Sequence, residues 1–235
     1  MKNLFFYILT LIFIFTGYSQ EIGKDHNDAM EYVYEQLKNS NSDLSTSEKL
    51  KNEAKKHSNY YFENISPITK NSGNINKKEV DKIYNEGIHS LYQESKMSLS
   101  TQQTKYLDQI DEIAKGQNVK LNDVLGELDI LQRNANNELN DEDYEVVGHA
   151  LDIATNTYQY WHTNTDKWVR LINESQGNET QSMSIDWGSV GNADFRGGVR
   201  GFFRGLFGGN PIGGAATGAA TASIAEIIIQ IISQL

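Results

Sequence analysis

Between residues 25 and 173, apolar positions return every three or four residues, and no stretch alternates with period two for long enough to make a sheet. Ala29, Met30, Val33 and Leu37 mark a first amphipathic helix, closed by the polar cluster from Asn39 to Asp43. Ser45 and Glu48 have capping-box spacing ahead of Leu50, Ala54, His57 and Tyr61. Pro67 and Gly73 then mark a connection. Asn76 with Glu79 predicts the start of a longer helix bearing Val80, Ile83, Tyr84, Ile88, Leu91 and Tyr92. Ser100 with Gln103 opens another, carrying Leu107, Ile110 and Ala114, with Gly116 at its C-terminal cap. Leu121, Val124, Leu128, Leu131 and Ala135 continue the pattern. Asp141, Glu142 and Asp143 complement the dipole at the start of a helix presenting Val147, Ala150, Leu151, Ala154, Tyr158 and Trp161. The expectation is an all-α body, a helical bundle.

The two ends read differently. Lys2, the apolar run Leu4 to Phe15, and Gly17 and Ser19 in a small-x-small exit have the form of a secretory signal, residues 1–19, with Gln20 as the mature terminus. After the body, 20–173, a polar stretch within 174–190 reads as a linker, and residues 191–235 form a glycine-rich tail. Eleven of the 19 glycines lie in the last 48 residues, where lysine is absent, so body and tail are expected to be separate modules, with the body folding on its own.

In the tail, Gly197, Gly201, Gly205 and Gly209 recur every four residues, and Gly214, Gly218 and Ala222 repeat the spacing. On helices this lines one face with residues that have no bulk, so a second helix approaches closely and gains van der Waals contact along the stripe. In water each such glycine costs about 1 kcal/mol relative to alanine, so the stripe needs that contact or a non-aqueous setting. Arg196, Arg200 and Arg204 form a separate cationic row suited to lipid headgroups, and Asn210 with Pro211 predicts the start of a second arm after Gly208 and Gly209. That arm, Ile212 to Leu235, carries a single charge, Glu226, and is long enough to cross a bilayer. The expected architecture is therefore a helical bundle followed by a C-terminal glycine-zipper helical hairpin.

Charge narrows the partners. Residues 20–187 hold 17 Lys+Arg against 29 Asp+Glu, which repels the phosphates of nucleic acid and excludes it as the expected partner. The absence of cysteine excludes disulfides, thiol catalysis and zinc–thiolate sites. His26, His57, His89, His149 and His162 fall in no metal-binding spacing, and the loop-like stretch Ser72 to Glu79 lacks the carboxylates a calcium loop needs. No Ser/His/Asp set or phosphate loop assembles by spacing, so no catalytic, cofactor or metal site is expected.

The segment GGVRGFFRGLFGGNPIGGAATGAATASIAEIII resembles the glycine-zipper segments of class II bacteriocins, which act by permeabilising membranes. More broadly, His26-Asn27 before Tyr32, the run DIATNTYQYW from Asp152 to Trp161, Asp186-Trp187-Gly188 and the signal ending Tyr18-Ser19-Gln20 resemble an uncharacterised family of secreted helical proteins from Bacteroidota-type bacteria with a glycine-rich C-terminus. The resemblance implies a secreted location, periplasmic, extracellular or envelope-associated, and supplies no chemistry. The expected function is non-enzymatic: association with membrane lipid, or self-assembly, through Gly197, Gly201, Gly205, Gly209, Gly214, Gly218 and Ala222, with Arg196, Arg200 and Arg204 at the headgroups. The alternative is a soluble secreted helical protein, a binding module or an enzyme of unknown ligand, whose tail packs on its own core.

Overall fold

The computed structural model describes residues 22–69, 74–114, 121–177, 186–208 and 210–233, and these are all-helical, without a strand. Helix α1 spans 22–38. It is followed by α2 (Ser47–Tyr60), which runs into a π-helical turn (Tyr61–Ile65), then α3 (Asn74–Glu86), α4 (Ile88–Lys96), α5 (Thr101–Ala114), α6 (Leu121–Glu138), α7 (Asp141–Ser175), α8 (Trp187–Gly208) and α9 (Pro211–Ile232). The expected signal, 1–19, and the expected caps Gly116 and Gly209 lie outside the described residues.

Local chemistry accounts for most boundaries. At α5, Ser100 and Gln103 form a reciprocal box: the Gln103 N–H donates to Ser100 Oγ at 3.0 Å and the Ser100 N–H to Gln103 Oε1 at 2.9 Å. Asn140 caps α7 by accepting from the Asp143 N–H at 2.9 Å, and three acids follow in the first turn. Two starts differ from expectation. The cap of α2 is Thr46, which accepts from the Lys49 N–H, rather than Ser45. The long helix expected from Asn76 to Tyr92 is broken at Gly87, whose φ of 76° lies in the region glycine adopts at no steric cost. That break turns α4 away from α3, and Glu79 faces inward to meet α8 instead of serving as a cap.

The described residues form two apolar clusters, and both pass through the tail. One joins α1 to α4 and the end of α7, including Phe62, Trp161 and Trp168, to Ile224, Ile227, Ile228 and Ile231 of α9. The other joins α5, α6 and the start of α7 to Phe195, Val199 and Phe202 of α8 and Ala215, Ala216 and Ala219 of α9. Body and tail, as composition divides them, contribute side chains to the same clusters. Amphipathic helices, each with one apolar stripe, need an apolar surface to cover, and α9 supplies one on every side. Of the expected linker 174–190, residues 174–177 end α7, with Gly177 at φ 73°, and 187–190 begin α8; residues 178–185 lie outside the described part.

Candidate functional site: a buried helical hairpin

Helices α8 and α9 form an antiparallel pair whose extensive mutual contact exceeds that of any other two elements. Their turn is built from the residues expected to build it. Asn210 Oδ1 accepts from the Gly213 N–H at 2.9 Å, Pro211 occupies the first turn, and Asn210 Nδ2 donates to the Ile68 carbonyl at 2.9 Å, which ties the turn to the chain after the π-helical segment. At the open end, the Asp186 N–H donates to Gln230 Oε1 at 2.9 Å and Gln230 Nε2 donates back to the Asp186 carbonyl at 3.2 Å.

Between these ends the small residues meet. A β-carbon on Gly197 would overlap the Gly218 carbonyl and stand 2.8 Å from Ala222 Cβ; one on Gly201 would overlap the Gly214 carbonyl, and the reverse clashes hold for Gly214 and Gly218. Main chain lies against main chain at two places one helical turn apart. Gly205 serves a different purpose, since its β-carbon would overlap the Asn210 carbonyl where the chain turns. The glycines outside the regular spacing also fit side chains of α7: Gly198 faces the end of Ile153, and Gly191 faces the Tyr158 ring. Periodicity alone did not single these two out.

The arginines are engaged with the body. Arg200, 1% exposed, donates from Nε to Glu79 Oε1 at 2.7 Å and from Nη1 to the Leu91 carbonyl at 2.8 Å and Glu94 Oε2 at 3.2 Å. Arg196 forks onto Asp111 at 2.8 and 3.1 Å and lies over the Tyr92 ring. Arg204, about half exposed, approaches Glu79 at 3.9 Å. In the folded chain the row is therefore a set of ties from α8 to α3, α4 and α5 rather than a free cationic face. The common spacing i, i+4, i+8 correctly put them on one side of α8; their carboxylate partners, all distant in sequence, were not legible.

A further polar tie was missed. Asp194, fully buried on α8, accepts from Thr157 Oγ1 at 2.5 Å and contacts His26 Nε2 at 3.1 Å, while His26 Nδ1 lies 2.9 Å from Asn27 Oδ1. Two further acids lie near this tie, Asp25 buried and Asp152 partly buried. Asp25 accepts from the Tyr61 and Ser66 hydroxyls at 2.8 and 2.7 Å, and burial raises its pKa. Asp152 accepts from the Gly23 N–H at 3.1 Å, and burial pushes it up to about 7. His149, against the Phe202 ring, is lowered by burial to about 4, so it is neutral at pH 7. His26 and Asp194 lack exposed surface, so they hold α1, α7 and α8 together and offer nothing to a substrate. On α9, Ser223 accepts from Trp161 Nε1 at 2.8 Å, and Thr217 Oγ1 bonds back to the Gly213 carbonyl at 2.8 Å.

The arrangement packs the apolar α9 against α8 and the preceding helices, and buried polar contacts of α8 tie it to them. Among the described residues, no group of three His, Asp or Glu side chains is arranged to hold a metal ion. Only α9 among the described helices is long and apolar enough to cross a membrane, and 78% of the relevant stretch is buried inside the protein. Comparison with protein-family models, with curated proteins and with solved structures finds no match to this chain.

Proposed function

We propose that the chain is a secreted, non-enzymatic protein that associates with membranes by releasing the α8–α9 glycine-zipper hairpin from its helical sheath. The observation that carries this reading is α9 itself: 22 residues, apolar on every side, with one charged residue, Glu226. At about 1.5 Å per residue it is about 33 Å long, which suits a hydrocarbon core of about 30 Å. In water the sheath and α8 cover it. At a membrane α9 becomes the span, and α8, which carries Asp194 and three arginines, stays at headgroup level with Arg196, Arg200 and Arg204 toward lipid phosphates. Once α8 has moved aside, Gly214, Gly218 and Ala222 leave α9 with a small-residue face that fits a second copy, which is the route to self-assembly. This gives the bacteriocin-like resemblance of the tail a physical form.

The experiment is flotation of the mature protein with phosphatidylglycerol-containing vesicles, followed by proteolysis. The reading expects the protein to float and a fragment containing α9 to resist digestion until detergent is added. A protein that stays at the bottom of the gradient, or that floats with α9 fully digestible, overturns it. The second reading is a soluble protein whose hairpin is permanent core; the buried Arg200–Glu79 and His26–Asp194 contacts favour it, because ties of that kind specify one closed packing.

A further inference from the structure

On the side of the fold formed by α1, α2, the π-helical turn and the start of α3 there is an open groove of about 630 Å³. Its wall is aromatic. The Tyr32 and Tyr60 rings stack at 6.3 Å and 13°, and His57 meets Tyr32 edge-on at 6.5 Å. Tyr60 is 52% exposed, whereas its neighbour Tyr61 is turned inward to Asp25. The π-helical turn begins between them, and such insertions recur where a helix re-aims side chains at a functional site.

The rim and floor are polar. Lys77 brings a cation, Lys56 brings a second that is paired with Glu53 at 2.7 Å, and Glu63 brings an acceptor from the π-helical turn. Asn59 Oδ1, also at the groove, is buried and has no hydrogen-bond partner among the described residues. This oxygen has no surface open to the groove, so it accepts from a ligand O–H or N–H once the Asn59 side chain turns outward. Because Tyr32 and Tyr60 stack on each other, they present a one-sided ledge rather than a slot for a flat aromatic ligand. A ledge of that kind suits the C–H face of a pyranose ring, with its hydroxyls on Asn59 and Glu63. The lysines favour a substituent that is negatively charged.

We infer that this groove binds an anionic sugar, a pyranose bearing a carboxylate or a phosphate. The site is independent of the hairpin, which contributes no residue to it. Titration calorimetry of the mature protein with trigalacturonate, mannose 6-phosphate and neutral maltotriose tests it. At least one anionic probe is expected to bind, and which one does distinguishes carboxylate from phosphate. Tyr60→Ala, at a half-exposed position that leaves the fold intact by circular dichroism, is expected to weaken binding at least tenfold. Lys56→Gln with Lys77→Gln is expected to remove the preference over maltotriose. Failure of all three probes at millimolar concentration, equal affinity of the unaltered protein for maltotriose, or undiminished binding by Tyr60→Ala overturns the assignment.

Discussion

Replacing Gly201 by alanine adds one methyl group to a helix, a change that in an exposed helix interior stabilises by about 1 kcal/mol. At this position the new β-carbon overlaps the carbonyl oxygen of Gly214 and stands 3.2 Å from the Ala215 nitrogen. Both are main-chain atoms of α9, so no side-chain rotation makes room. The helices must separate, and the neighbouring Gly197–Gly218 contact one turn away opens with them. Overpacking of this kind costs about 1–3 kcal/mol, and main-chain overlap belongs at the upper end. After subtracting the propensity gain, the net loss is about 2 kcal/mol, a fall in Tm of roughly 4–8 °C for a chain of this size. Gly126 in α6 is the internal control, since a β-carbon there meets nothing within 4 Å. Gly126→Ala should raise Tm by about 2–4 °C. Gly198→Ala should fall between the two, because it meets only the flexible end of Ile153. Thermal unfolding followed by circular dichroism reads all three. If Gly201→Ala stabilises as much as Gly126→Ala, the helices of the hairpin are not in main-chain contact and the reasoning collapses.

Arg200→Met leaves Glu79, 5% exposed, without its closest cation and should cost about 3–5 kcal/mol in urea unfolding, while Arg200→Met combined with Glu79→Leu should recover most of that loss; simple additivity of the two single variants would count against a coupled pair. Asp152, raised to about 7, binds a proton in the folded state at a pH where the unfolded chain does not, so stability should rise as pH falls from about 7 toward 4, and Asp152→Asn should lose that rise when melts are compared across the window. His149, lowered to about 4, has the opposite sign: stability is full above about 6.5 and is lost as pH falls toward 4, so a His149→Leu variant should resist acid better than the unaltered protein, and an unchanged acid transition would contradict the assignment.

Helical class and several element boundaries could be read along the chain because they depend on residues a few positions apart. Ser100 with Gln103, Asn210 with Pro211 and the three acids opening α7 each act locally, and each is where its spacing put it. What depended on distant contacts could not be read. Glu79 looked like a capping residue, and only the arrival of Arg200, 121 positions later, shows why it is buried. His26 has the composition of an isolated packed histidine until Asp194 comes to it across 168 positions. The composition changes near residue 187, and both apolar clusters draw residues from either side of that change, a sharing that composition does not reveal. The groove at Tyr32 and Tyr60 was equally hidden, since its residues come from α1, α2, the π-helical turn and α3.

The central claim is that α8 must swing away from the sheath before α9 can enter a membrane. The chain has no native cysteine, so a single engineered pair can hold it shut. Thr157 on α7 and Asp194 on α8 are in direct side-chain contact, and Thr157→Cys with Asp194→Cys places two thiols there. Release of an entrapped dye from phosphatidylglycerol-containing vesicles is then measured for the same preparation oxidised and reduced. The account predicts retention of the dye with the oxidised protein and leakage once the disulfide is reduced. Equal leakage in both states, or none from either the reduced pair or the unaltered protein, would contradict it.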